Sequence, residues 1–190
     1  MYHRHLFCLA HKTNFCITKD GIDVVPEIKA LVQDVFEIVK VFRYKSDLIR
    51  KKQKELLEKV ENLMGVAEND HTYYALVDHS SVGTTTLKRY CKTRWNSIVI
   101  SLESVDVNKS VVHNLLIDLG LAQKCLNRQE TEAMKHLLNF LQYFRRMIDS
   151  LQGDSYPTIS QVWPAVCGFK NHCQIEETPL MMKRYLSVSF

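Results

Sequence analysis

Glycine and proline are scarce in this chain, with 6 and 4 among 190 residues. An all-β sandwich or barrel needs a turn about every 8–12 residues, and so few turn formers exclude it. Disorder is excluded by a hydrophobic content of 46% beside 24% charged residues, the balance of an ordinary globular protein. No apolar run approaches the ~18 residues of a membrane-spanning helix, so no membrane partner is expected. A strong excess of one charge is also missing. Lys and Arg number 25 against 21 Asp and Glu, a net charge of +4, which permits nucleic-acid contact without demanding it. The six cysteines form no Cys-x-x-Cys pair, and the histidines no His-x-x-x-His pair. There is no phosphate-cradling glycine loop and no Ser/His/Asp pattern. The apolar run after Met1-Tyr2-His3-Arg4-His5 is broken at His11 and Lys12, too short for a signal peptide. The cysteines are therefore expected as reduced thiols in the cytosol or nucleus.

What the sequence does have is helical periodicity. Val25, Ile28, Leu31, Val32, Val35, Ile38, Val39 and Phe42 recur at three and four, which predicts a core-facing helix over 24–42 with Pro26 in its first turn. Residues 45–64 form a charged second helix with a thin stripe of Leu48, Leu56, Val60 and Leu63. The period then lapses into loop signals over about 65–90, with Tyr73–Val77 fitting a brief strand. Trp95, Ile98, Leu102 and Val105 open a third helix, which Val111, Val112, Leu115, Leu116 and Leu119 continue or restart before Gly120. A fourth runs from Glu130 to Leu151, through Met134, Leu137, Leu138, Leu141, Phe144, Met147 and Ile148. Ser155 and Pro157 carry the signals of a fifth helix, whose apolar face is Ile159, Val162, Trp163, Val166 and Phe169, kinked or split at Pro164. Leu6–Ala10 fits a buried strand or a helix start equally. The fold class is mostly α.

Three segments carry candidate chemistry. Cys8-Leu9-Ala10-His11 has the spacing of half a metal site, with His3, His5 and Cys16 near it. Zinc wants four ligands at fixed geometry, and no second half exists, since His172 and Cys173 are adjacent. A buried Cys beside a hydrogen-bonded His is the commoner arrangement, so no metal and no cofactor are expected. Arg94-Trp95 reads in two ways. Arg clamps a phosphate while Trp stacks on an unpaired base, or Trp95 heads an apolar helix face and Arg94 pairs with a carboxylate. The run Arg43, Lys45, Arg50, Lys51, Lys52 and Lys54 suits a DNA backbone, but Glu55, Glu58 and Glu61 follow at once, and a solvated helix face is the commoner reading.

Cys91-Lys92-Thr93-Arg94-Trp95-Asn96-Ser97 joins three further segments in order: Phe7–Asn14, Val39–Ser46 and Ser155–Val162. Together they resemble the middle of a hAT-superfamily DNA transposase, or of a zinc-finger BED-type host protein derived from one. The resemblance implies a fragment of an RNase H-like transposase fold dominated by its helical insertion domain. Residues 1–20 would be a remnant of the RNase H-like core and residues 21–190 the insertion domain. In that family a Cys-x-x-His pair contributes to DNA handling, and the matching Trp is linked to stabilising a flipped base. Nucleic-acid contacts thereby fall on Cys8, His11, Arg94 and Trp95. Where the family commonly has Leu after the Asn of its His-Thr-Leu-Asn-like string, this chain has Phe15 after Asn14.

The family's DDE chemistry uses three carboxylates around two metal ions. Two aspartates precede the Cys-x-x-His pair, and a Glu follows the insertion domain. Only seven residues precede Cys8, none of them acidic, and the Glu would lie past Phe190. No catalytic residue is therefore expected. The expectation is a transposase-derived, catalytically inactive nucleic-acid-binding or interaction protein of the nucleus. Its partners would be weakly bound DNA, another protein or a second copy of itself. The alternatives are a fragment of an active hAT transposase, or a helical protein-interaction module without DNA binding.

Overall fold

The computed structural model describes residues 16–66, 85–91, 95–151, 163–164, 167–168 and 170–171. Among these the chain is helical, with no strand. The segment 73–77, read as a brief strand, lies outside them, as does most of the fifth helix. A π-helical turn at Cys16–Ile22 leads into α1 (Pro26–Val41), α2 (Ser46–Val66), α3 (Trp95–Val107), α4 (Lys109–Asp118), a 3-10 turn at Ala122–Lys124 and α5 (Arg128–Leu151). No described helix is long and apolar enough to cross a membrane.

Local chemistry sets the helix ends. Pro26 opens α1, where its missing N–H is not needed. α5 begins two residues before the expected Glu130 because Asn127 and Glu130 cap each other. The Glu130 N–H donates to Asn127 Oδ1 at 2.9 Å, and the Asn127 N–H donates to Glu130 Oε2 at 2.7 Å. Gly120 ends α4 at φ +70°, a left-handed value that only glycine adopts cheaply. It lets the Leu121 N–H reach back to the Leu116 carbonyl at 2.7 Å.

Two apolar clusters form the interior, and α1 serves both. Leu31, Val35 and Val39 pack with Leu102 and Val105 of α3 and with Met134, Leu137, Leu141 and Phe144 of α5. One helical step round, Ile38 joins Phe42, Ile49 of α2, and Val111, Val112, Leu115 and Leu116 of α4. Leu87 and Leu126 touch both clusters and join them. Ile17 and Ile22 lie in the first cluster with α1, so residues on both sides of position 20 share one core.

Among the described side chains of α2 the buried positions are Ile49 and Gln53, at 1% and 5% exposure. The expected stripe is displaced from this line, since Leu48, Leu56 and Val60 are only half-buried. Gln53 escapes a hydropathy pattern because its amide is buried by bonding. Gln53 Nε2 donates to Asn108 Oδ1 at 2.7 Å and to the Thr85 carbonyl at 3.1 Å. Asn108 Nδ2 donates to the Thr85 carbonyl at 3.0 Å and to the Ser104 carbonyl at 2.8 Å. Asn108 is fully buried and stands between α3 and α4, so the apolar pattern there restarts and does not continue. It occupies the N-cap of α4 without capping it, because its side chain is turned to Gln53 and Thr85.

Trp163, expected on an apolar face, is 73% exposed. A Cβ on Gly168 would meet Tyr143 Oη at 3.0 Å and Met147 Cε at 3.1 Å, so the chain seats on α5 through Gly168.

Leu141→Ala is expected to cost about 2–5 kcal/mol of unfolding free energy, the range for an emptied leucine site. Asn108→Ala takes one buried hydrogen bond each from Gln53, Thr85 and Ser104, and should cost about 1–3 kcal/mol. Combining it with Gln53→Ala should cost clearly less than the sum of the two single changes. Urea denaturation of the three variants measures both values, and strict additivity would contradict the shared network.

Candidate nucleic-acid interface

The corner between α1 and α2 is built around one buried ring. Phe42 is 3% exposed and lies in the second apolar cluster. The Arg43 N–H donates to the Lys40 carbonyl and the Lys45 N–H to the Phe42 carbonyl, at 3.2 and 3.0 Å. This turn sends Arg43, Tyr44 and Lys45 into solvent, with Tyr44 at 81% exposure. Across from it runs 85–91, an irregular segment held along its length. Its Thr85 carbonyl takes both amides of the Gln53–Asn108 network. The Lys88 N–H donates to Ser104 Oγ at 3.0 Å. Tyr90 stacks on Phe36 with ring centroids 3.7 Å apart and planes 12° from parallel. Cys91 donates its N–H to Ser97 Oγ and accepts from that hydroxyl at its carbonyl, both at 2.8 Å.

With Leu87 and Tyr90 turned inward, Lys88 and Arg89 face solvent. The Arg89 and Arg43 guanidinium carbons lie 5.7 and 5.1 Å from the Tyr44 ring centre, within cation–π range. Other nearby cations are engaged. Lys40, Arg50, Lys52 and Lys54 each reach a carboxylate within 4.0 Å. Lys52 also bonds Asp118 at 2.8 Å, the chief cause of its raised pKa. Among the described residues Arg43, Lys45, Lys88 and Arg89 have no such carboxylate. Of the basic run read as a solvated face, Arg50, Lys52 and Lys54 are paired with carboxylates, whereas among the described residues Arg43 and Lys45 at the corner, and Lys51 on α2, are not.

Of the sequence-predicted site residues, Cys8, His11 and Arg94 lie outside the described residues. Trp95 is the first residue of α3, and its side chain lies outside them too. Arg43 and Lys45 were visible in sequence as part of a basic run, whereas Tyr44 between them was not singled out. Arg89 gave no signal, because its nearness to Tyr44 depends on the pinning of 85–91.

Other features offer less chemistry. A cavity of about 300 Å³ at α4 and α5 is lined by Ile38, Val112, Leu116, Met134, His113 and Cys125. Burial pushes the Cys125 thiol up, away from the reactive thiolate. A groove of about 450 Å³ between α1 and α5 is bordered by Glu27, Asp34, Glu130, Glu132 and His136. Glu130 is engaged by Asn127, and Glu132 by Arg128 at 3.1 Å. Among the described residues no group of three or more His, Cys, Asp or Glu is placed to hold a metal ion. No protein-family model and no curated protein matches the chain.

Tyr90, which anchors Arg89, has a raised pKa, mainly from burial and then from the charge of Asp23. A raised pKa in the folded state means a contribution to stability that is full below the ordinary tyrosine value. That contribution is lost as pH rises through the folded value. The tyrosinate difference spectrum of wild type minus Tyr90→Phe should therefore titrate above the ordinary value of about 10.

Proposed function

We propose that this chain is a transposase-derived, catalytically inactive nucleic-acid-binding protein of the nucleus, which grips the phosphate backbone through Arg43, Lys45, Lys88 and Arg89. The observation that carries the reading is the convergence of these unneutralised cations from two distant segments at one solvent-exposed corner. Cations held on a fixed surface bind phosphates by releasing condensed counterions. With a net charge of only +4, this local grouping of cations is what favours an anionic partner at the corner. Transposase descent rests on the sequence resemblance, which also offers Cys8, His11, Arg94 and Trp95 as further contacts.

Fluorescence anisotropy with a labelled 20-base-pair duplex, from low to physiological salt, tests the binding. Four phosphate contacts predict a log–log salt slope of roughly −3 to −4. Arg43→Ala and Arg89→Ala should each weaken binding across sequences and flatten that slope by about 1. Failure to bind either a duplex or a single strand even at low salt, or slopes untouched by both changes, would remove this surface from the reading. The purified chain with Mg²⁺ or Mn²⁺ should neither nick DNA nor join ends. Cleavage abolished by changing one of the chain's own carboxylates would show that it is an enzyme.

A further inference from the structure

We infer that the nucleic acid taken by this corner is single-stranded or locally unpaired, with one base stacked on Tyr44 and its flanking phosphates held by Arg43 and Arg89. The inference rests on the nucleic-acid reading and adds the kind of strand. It begins from a contrast within one turn. Folding takes Phe42 to 3% exposure and leaves Tyr44, two residues on, at 81%. The other aromatic rings from Phe36 to Phe144 whose side chains are described are buried or half-buried. Folding therefore has no use for the Tyr44 ring, and an aromatic face held in water beside cations is the standard element of single-strand recognition.

The two guanidinium carbons lie over the Tyr44 ring, 5.1 and 5.7 Å from its centre. A ring in full stacking contact comes closer, as Phe36 and Tyr90 do at 3.7 Å. A base seated on Tyr44 takes the place of a guanidinium on that face, and the long exposed arginine side chains then reach the phosphates on either side of it. Asp47, the acidic residue nearest in sequence, is turned to Arg50 at 4.0 Å, and Lys45 adds a further cation. A duplex offers phosphates to such a surface but no free base face, because its bases stack on one another. Arginines alone do not tell the two forms apart; a protruding ring does. Every base has such a face, so recognition should tolerate any sequence.

The full-length chain is titrated with a labelled 20-mer of deoxythymidine, with a 20-base-pair duplex, and with poly-glutamate as an acidic-protein probe, at one low salt concentration. The single strand should bind tighter than the duplex. Tyr44→Ala should weaken single-strand binding about 5- to 150-fold, the cost of one stacked base, and leave duplex binding unchanged. Tyr44→Phe should restore it. Because the side chain is exposed, neither change should move the melting temperature, so lost affinity cannot be lost folding. If duplex and single strand bind alike and Tyr44→Ala alters neither, stacking is refuted while phosphate binding stands. If only poly-glutamate binds, both readings fail and the corner is a protein contact. If no probe binds, both fail.

Discussion

A single buried amide, that of Asn108, fixes the register of parts of this molecule that apolar packing brings together. It bonds α2 through Gln53, the end of α3 through the Ser104 carbonyl, and the segment 85–91 through the Thr85 carbonyl. A buried polar group is tolerated only when its bonds are made. The network therefore admits one arrangement of these elements, whereas two greasy clusters would slide. Its position between α3 and α4 also explains why the chain turns there. Asn at that point normally caps the following helix; here it gives up that bond to hold the centre.

From this centre the candidate surface follows by steps. Fixing Thr85 starts a segment whose later members, Leu87 and Tyr90, have apolar seats. Arg89, between them, must then face outward. On the other side the second cluster claims Phe42 and Ile49, and of the six residues between them Arg43, Tyr44, Lys45, Ser46 and Asp47 are left in water. The surface is thus the complement of the core: its residues are those the two clusters could not use. Surface ion pairs trim the edges, as where Glu103 takes both Gln142 and Arg145 of α5 at 3.1 Å, but such half-exposed contacts contribute little to stability.

The helices were legible in the sequence because α1, α3 and α5 bury a periodic apolar stripe, and Leu31, Val35, Val39, Leu102, Leu137, Leu141 and Phe144 all fall in the core. What escaped has a common physical origin. Gln53 and Asn108 are buried through hydrogen bonds, and hydropathy does not register a satisfied amide. The start of α5 was set by a side-chain capping pair, which periodicity does not see. Trp163 was assigned inward because it is large and apolar, yet small Gly168 makes the contact with α5. The candidate surface was half visible. Tyr44 and its basic neighbours are contiguous, but Arg89 is brought to them only by tertiary structure. The stretches that carry most of the hAT resemblance, around Cys8, Arg94 and Ser155–Val162, lie outside the described residues.

The service of α1 to both clusters has a bearing on biosynthesis. Its partners in the first cluster sit at 95–107 and 128–151, long after its own end at Val41. At about 5–20 residues per second, the ribosome keeps Leu31, Val35 and Val39 waiting on the order of 10 s before α5 emerges to cover them. Throughout that interval the nascent chain carries an uncovered apolar helix followed by the charged α2, whose mixed Lys and Glu residues keep the growing polypeptide hydrated beside it. Of the described elements, the earliest long helix to be synthesised is thus the last to be fully enclosed, and its apolar face is the surface a holding chaperone would cover during synthesis.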